Sequence, residues 1–136
     1  MPDADDLVPQ AVQLGVDNFT ATRGSVPPSF QLLLEHAPGA FAGYGLMRAT
    51  LMRDGALDLK TKELIFALLD VVIGANEGAK AHAANAIRLG LPVEALAEGL
   101  VQCLMAAGIT TWNMTGRATL EHAVAVKAEM KREAAG

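Results

Sequence analysis

Two carboxylates in an apolar stretch are the first residues of this chain whose types and spacing suit acid–base chemistry. Glu63 and Asp70 are the only acids between Asp58 and Glu77, and they are seven residues apart. A helix would therefore present both from one stripe of its surface. Glu63 also suits the first turn of a helix, where the dipole favours a negative charge. A buried Asp70 must find a partner or stay protonated, so a hydrogen bond or salt bridge between helices or subunits is the alternative to a catalytic role.

A histidine surrounded by very small residues is the second such feature. Helical spacing places Ala75, Gly78, Ala79 and Ala86 on the same face as His82. We predict space on either side of the ring, where a small planar acid could lie. A free imidazole titrates near pH 6.5 and can give or take a proton at neutral pH. A lone histidine on such a face is more often a hydrogen-bonded core residue than a catalyst, and both interpretations stay open.

The remaining candidates for chemistry are few. His36 precedes a proline and His122 has charged neighbours, so both are predicted to be structural or surface residues. Three histidines without usable ligand spacing predict no metal site, and the sequence has no nucleotide-binding glycine loop, HExxH or GxSxG motif. Cys103 is the only cysteine, which excludes an intramolecular disulfide and a CxxC site. A lone cysteine on an apolar helix usually packs as a small hydrophobic side chain.

The composition excludes several classes of protein. With 51% hydrophobic and 19% charged residues, the chain is not disordered. A net charge of −4 argues against a nucleic-acid partner. The acidic first residues do not resemble a signal peptide, and the apolar runs are shorter than the ~20 residues of a membrane span. We expect one domain over residues 1–136, located in the cytoplasm and without a membrane partner.

Helical periodicity predicts an all-α fold, and strand signals are weak throughout. Asp58 is a predicted N-cap, and glycines end several of the helices. The interior of the central helix, LIFALLDVVI, is apolar on all sides, which is typical of a buried helix. The predicted helices span residues 5–23, 29–36, 39–53, 59–73, 76–89, 93–107 and 110–132.

The centre of the chain resembles the carboxymuconolactone decarboxylase family, which includes the alkylhydroperoxidase D-like proteins. The resemblance covers about residues 38–108 and implies a compact domain of the alkylhydroperoxidase D-like type, with about six to seven helices. It also implies a homotrimer or homohexamer. The apolar stretches LIFALL and VVI agree with this, because contiguous apolar surface on a small protein usually marks an interface. The matching residues are Leu57, Asp58, Lys60, Thr61, Lys62, Glu63, Leu64, Ile65, Gly74, His82, Ala86 and Gly90.

The redox members of that family carry the pattern E-x11-C-x2-C-x3-H. Counted from Glu63, the two cysteine positions fall on Ala75 and Gly78, and the histidine position falls on His82. The resemblance thus implies the glutamate and histidine of a proton relay without the thiol pair that reduces peroxides. Cys103 matches neither cysteine position, so peroxidase activity is predicted to be absent.

The resemblance points to the decarboxylase-like branch of the family. It implies a lyase that needs no cofactor and performs acid–base decarboxylation or isomerisation on a small organic acid or lactone from aromatic catabolism. His82 is the predicted catalytic proton donor and acceptor, and Glu63 is predicted to orient the ring or share its proton. The predicted substrate-binding residues are Asn76, Lys80, Arg88 and Asp70.

A non-catalytic protein of the same fold is the alternative function. Such a protein would bind a small molecule or serve in assembly, and the missing cysteine pair and ordinary surface support it. Glu77 also places an acid next to the predicted site, where it would repel an anionic substrate unless its side chain faces outward.

Overall fold

The computed structural model describes all residues, Met1–Gly136, and consists of helices without strands. The predicted all-α fold with about six to seven helices is confirmed. The chain divides into two compact units, residues 1–53 and residues 54–136. A single domain over residues 1–136 stays a prediction. The helices are α1 (Ala4–Arg23), α2 (Pro28–His36), α3 (Pro38–Leu51), α4 (Leu59–Ile73), α5 (Asn76–Arg88), α6 (Val93–Ala107), the single turn α7 (Ile109–Thr111) and α8 (Arg117–Ala135).

An aromatic cluster forms the core of the first unit, which contains α1 to α3. The ring centroid of Phe19 lies 4.8 Å from that of Phe30 and 6.1 Å from that of Phe41. The guanidinium of Arg48 lies 4.7 Å from the centroid of the Phe19 ring, in the geometry of a cation–π contact. None of the predicted site residues belongs to this unit.

The second unit buries small and aliphatic side chains between α4, α5, α6 and α8. Helix α5 contributes mainly alanine to this core. Small side chains allow its neighbours to pack close against it, because the distance between helix axes depends on the side chains at the contact. The fully buried apolar residues of this core are Ala67, Val71, Ala79, Ala83, Ala86, Ile87, Leu96, Leu100 and Ala123.

The start of α4 is capped as the sequence predicts. Oδ1 of Asp58 accepts a hydrogen bond from the backbone N–H of Thr61 at 2.8 Å. Hydrogen bonds from the hydroxyl and the backbone N–H of Thr61 hold the pKa of Asp58 below its ordinary value. Because this pKa is lowered in the folded protein, the stabilisation is present above the ordinary pKa and is lost as the pH falls through the folded value.

A tight turn at Gly74 joins α4 to α5. Gly74 has a φ of 81°, in the left-handed region that glycine adopts without strain. The backbone N–H of Ala75 donates to the carbonyl of Asp70 at 2.8 Å. Residues at equal distances from such a turn face each other in an antiparallel helix pair. His82 therefore lies across from Phe66, which is almost midway between Glu63 and Asp70.

The last predicted helix, residues 110–132, is interrupted in the structure. Residues Trp112–Gly116 form a π-helical turn between α7 and α8. The hydroxyl of Thr115 lies 2.7 Å from the backbone oxygen of Val71 in α4 and 3.0 Å from that of Thr111. A π turn rotates the following residues relative to a regular helix. The π-helical turn contains Thr115, whose hydroxyl donates to α4. The sequence pattern of one helix does not reveal such a contact with another helix.

Helix α4 is less buried than its apolar composition predicts. Leu69 is 56% exposed and Ile73 is 75% exposed, whereas Val71 is fully buried. The prediction that α4 is buried on all sides is therefore wrong for the single chain. Only one side of α4 packs against α5 and α6. None of the helices combines the length and the apolarity needed to cross a membrane.

Candidate acid–base site

A buried hydrogen bond between Glu63 of α4 and His82 of α5 forms the centre of the site. Nδ1 of His82 lies 2.6 Å from Oε2 of Glu63, and the two residues are 8% and 2% exposed. The resemblance to the family pattern implies this contact, and the structure contains it. With Glu63 ionised, Nδ1–H donates a charge-assisted hydrogen bond. Nε2 of His82 is then the end of the ring that can exchange a proton.

Asn85 holds the other oxygen of the glutamate. Its Nδ2 donates to Oε1 of Glu63 at 3.4 Å. Asn85 follows His82 by three residues, so both side chains lie on the same face of α5. Both carboxylate oxygens of Glu63 thus have donors on α5, which restricts the orientation of the carboxylate. The sequence analysis missed Asn85, although its spacing from His82 is a signal that could have found it.

Two residues of α4 surround the rest of the imidazole. Oδ2 of Asp70 lies 3.9 Å from Nε2 of His82. The ring of Phe66 stacks on the imidazole, with centroids 5.0 Å apart and an angle of 26° between the planes. Space on either side of the ring was predicted from the small residues of α5, and this is wrong on the side of Phe66. The small residues belong to α5, the helix of His82, whereas Phe66 belongs to the neighbouring helix α4.

Three of the predicted substrate-binding residues lie on other faces of α5. Lys80 is two residues from His82 and points to the opposite side, and Asn76 and Arg88 are each six residues away, about 120° around the helix. Nζ of Lys80 lies 3.9 Å from Oε1 of Glu77, whose side chain is 94% exposed. Glu77 therefore faces solvent. Of the predicted residues, the structure brings Glu63, His82 and Asp70 together, and substrate binding by the other three stays a prediction.

The other two histidines lie outside this site. His36 and His122 are exposed, as predicted for surface residues. No group of three or more His, Cys, Asp or Glu side chains is arranged to hold a metal ion.

Cys103 is a buried thiol, and we predict that the protein does not reduce hydroperoxides. The side chain is buried in α6, with its Sγ 3.7 Å from the backbone oxygen of Leu68. Burial raises the pKa of the Cys103 thiol, which lowers the fraction of reactive thiolate at neutral pH. Consumption of an alkyl hydroperoxide with a dithiol reductant is expected to equal the protein-free rate. Peroxide turnover that Cys103→Ser abolishes would contradict this prediction.

Comparison with known proteins agrees with the fold. The model of the carboxymuconolactone decarboxylase family matches residues 38–121, more than half of the chain. The crystal structure of a proposed carboxymuconolactone decarboxylase from Burkholderia xenovorans LB400 is similar, with a TM-score of 0.82 and 28% sequence identity. The similarity covers 96% of this chain and 98% of that chain. A search of curated proteins finds no match.

Proposed function

Since the chain belongs to the carboxymuconolactone decarboxylase family, we propose that it catalyses decarboxylation or isomerisation of a small organic acid or lactone without a cofactor. The observation that carries this proposal is the buried hydrogen bond of 2.6 Å between Glu63 and His82. A carboxylate in this position holds the imidazole in one orientation and stabilises its protonated form. The similarity to the Burkholderia protein supports the same class of reaction.

The residues of the site suit the protonation of a dienolate. In the decarboxylation of a carboxylated lactone, the C–C bond to the carboxyl group breaks and its electron pair moves into the conjugated system. CO₂ leaves, and the remaining dienolate takes a proton at a ring carbon as the double bond moves. Nε2 of His82 supplies that proton, while Glu63 compensates the charge of the imidazolium. Phe66 restricts the ring to one plane, so that Nε2 points in a constant direction.

A panel of carboxylated lactones, β-keto acids and unsaturated acids tests this proposal. Turnover is followed by the release of CO₂ and by the ultraviolet absorbance of the conjugated product. We expect at least one lactone to be converted. The alternative is a non-catalytic binding or assembly protein, in which the Glu63–His82 pair would only stabilise the helix packing. Failure to convert or bind any compound of the panel, the latter measured by calorimetry, would favour that alternative.

We also propose that the protein is a homotrimer or homohexamer, because one apolar surface of the second unit has no cover within that unit. Helices α4 and α6 form a groove of about 310 Å³ with an almost entirely apolar lining. Contiguous apolar surface of this kind usually marks an interface. The residues that line this α4–α6 groove are Ile65, Leu68, Leu69, Val72, Gly99, Gln102, Cys103 and Ala106.

The substitution Leu69→Glu is expected to dissociate the oligomer. Leu69 is 56% exposed in the single chain, so a charge there costs little in the monomer but would be buried without a partner in an interface. Light scattering coupled to size exclusion should show a multiple of 14.2 kDa for the wild type and a smaller mass for the variant. Leu32→Glu is the matched control, because Leu32 is 61% exposed on α2 and is not among the residues that line the groove. A wild-type mass of 14.2 kDa at micromolar concentration would contradict the proposal.

A further inference from the structure

Asp70 is a carboxylate beside the reactive nitrogen of His82 that the proposed mechanism does not use. Its Oδ2 lies 3.9 Å from Nε2, and its side chain is 23% exposed. Glu63 contacts Nδ1, at the other side of the same ring. The imidazole therefore has one carboxylate near each of its nitrogens, a buried one that holds it and a partly exposed one near the end that exchanges protons.

We propose that Asp70 is a second catalytic acid–base group, and that it makes this site an isomerase of neutral unsaturated lactones. This inference rests on the proposed function and narrows it to one reaction type. Decarboxylation followed by protonation needs one proton donor. A shift of a double bond along the substrate needs a base at one carbon and an acid at another, two bonds away. His82 and Asp70 supply such a pair.

The distance between the two groups fits a substrate that lies over both of them, with one face toward the pair. A separation of 3.9 Å between Nε2 and Oδ2 is too long for a direct hydrogen bond. It is short enough for each group to face a different carbon of one allylic system. Catalytic contacts in a free enzyme are often longer than in the complex with substrate.

The position of the Asp70 carboxylate depends on Gly78 of α5. A Cβ added at Gly78 would overlap Oδ2 of Asp70. The lack of a side chain at this position leaves the space that the carboxylate occupies. In the pattern of the redox relatives, the second cysteine falls on Gly78, so this chain has a carboxylate from α4 next to a position where those relatives carry a thiol.

The proposed proton shift is balanced without an oxidant or a cofactor. The Asp70 carboxylate removes a proton from the carbon between the carbonyl and the double bond, and the C–H electron pair moves onto the carbonyl oxygen to give a dienolate. Nε2–H of the His82 imidazolium gives a proton to the remote carbon, and the electron pair returns as the double bond moves. Proton transfer from protonated Asp70 to Nε2 through a water molecule restores both groups.

The charges of the site favour a substrate whose reacting group is uncharged. With both carboxylates ionised and the imidazole protonated, as the proposed proton shift requires, Glu63 and Asp70 carry two negative charges and His82 carries one positive charge. A carboxylate of the substrate placed beside Asp70 would be repelled, because like charges at a few ångströms disfavour each other strongly in a site of low dielectric. A lactone carbonyl has no such penalty.

The isomerisation of α-angelica lactone to its conjugated β isomer tests this inference. The wild type is expected to accelerate the reaction, followed by ultraviolet absorbance and by proton NMR against a protein-free control. Asp70→Asn should lower kcat by about 10²-fold or more, because it removes the base. Thermal unfolding of Asp70→Asn is compared with that of the wild type, and an unchanged transition shows that the variant is folded.

Gly78→Ala provides a second variant that keeps the charge of Asp70. The added Cβ displaces the carboxylate, which is the end of a short flexible side chain, so the fold should persist while kcat falls by a similar factor. The double variant Asp70→Asn/Gly78→Ala should lose no more activity than Asp70→Asn alone, because both changes act on one group. Gly43→Ala is the matched control, since a Cβ there contacts nothing within 4 Å.

The outcomes separate this inference from the proposed function. Isomerisation at the wild-type rate by both Asp70→Asn and Gly78→Ala overturns the role of Asp70 and leaves the proposed function intact. Conversion of carboxylated lactones without any action on α-angelica lactone also overturns the inference alone. A wild-type protein that is inert toward every lactone and acid overturns both.

Discussion

Replacement of His82 by alanine is expected to lower turnover of the lactone substrate by about 10²–10⁴-fold, the usual contribution of a general acid–base group. The substitution removes Nε2, the only nitrogen of the ring that is free of the bond to Glu63. The loss should appear in kcat, because the proposed role of His82 is to transfer a proton and not to hold the substrate. Steady-state kinetics on the converted lactone measures it.

The same substitution also affects stability, and a second variant separates the two effects. His82→Ala removes the closest partner of the Glu63 carboxylate, which is 2% exposed. An unsatisfied buried polar group costs about 1–3 kcal/mol. His82→Asn keeps a donor near the position of Nδ1 and lacks Nε2, so it should lose as much activity with a smaller loss of stability.

His122→Ala is the control for His82, because His122 is exposed on α8. It should leave both kcat and the thermal unfolding transition unchanged. Turnover that is indifferent to both His82→Ala and His82→Asn would place the reaction elsewhere in the protein.

Replacement of Glu63 by glutamine is expected to lower kcat by about 10²-fold, less than the loss of the imidazole itself. The amide keeps the shape of the side chain but removes the negative charge that stabilises the protonated His82. Its NH₂ group can also face Nδ1, which favours the tautomer with the proton on Nε2. Comparison of kcat and KM for Glu63→Gln and the wild type measures the effect.

The size of the Glu63 effect distinguishes two roles. A loss larger than that of His82→Ala would mean that Glu63 itself carries the proton, contrary to its orienting role. Wild-type kcat in Glu63→Gln would mean that the pair only stabilises the packing of α4 against α5. Glu94→Gln is the matched control, because Glu94 is an exposed acid in the first turn of α6.

The helices could be predicted from the sequence because they depend on local order. Helical periodicity reports which residues share a face, and Asp58 and Gly74 mark the two ends of α4. The resemblance of residues 38–108 to a known family added the expectation that Glu63 and His82 act together.

The surroundings of that pair were decided by the tertiary structure. The stacking of Phe66 on His82 and the fit of the Asp70 carboxylate against Gly78 depend on how far α4 and α5 are apart and how each is rotated. The hydrogen bond from Thr115 to Val71 and the exposure of Leu69 depend on where further helices pack on α4. Periodicity describes the faces of one helix at a time. Which side chain of a neighbouring helix meets a face is decided by close packing in three dimensions, where a shift of one methyl group changes the neighbours.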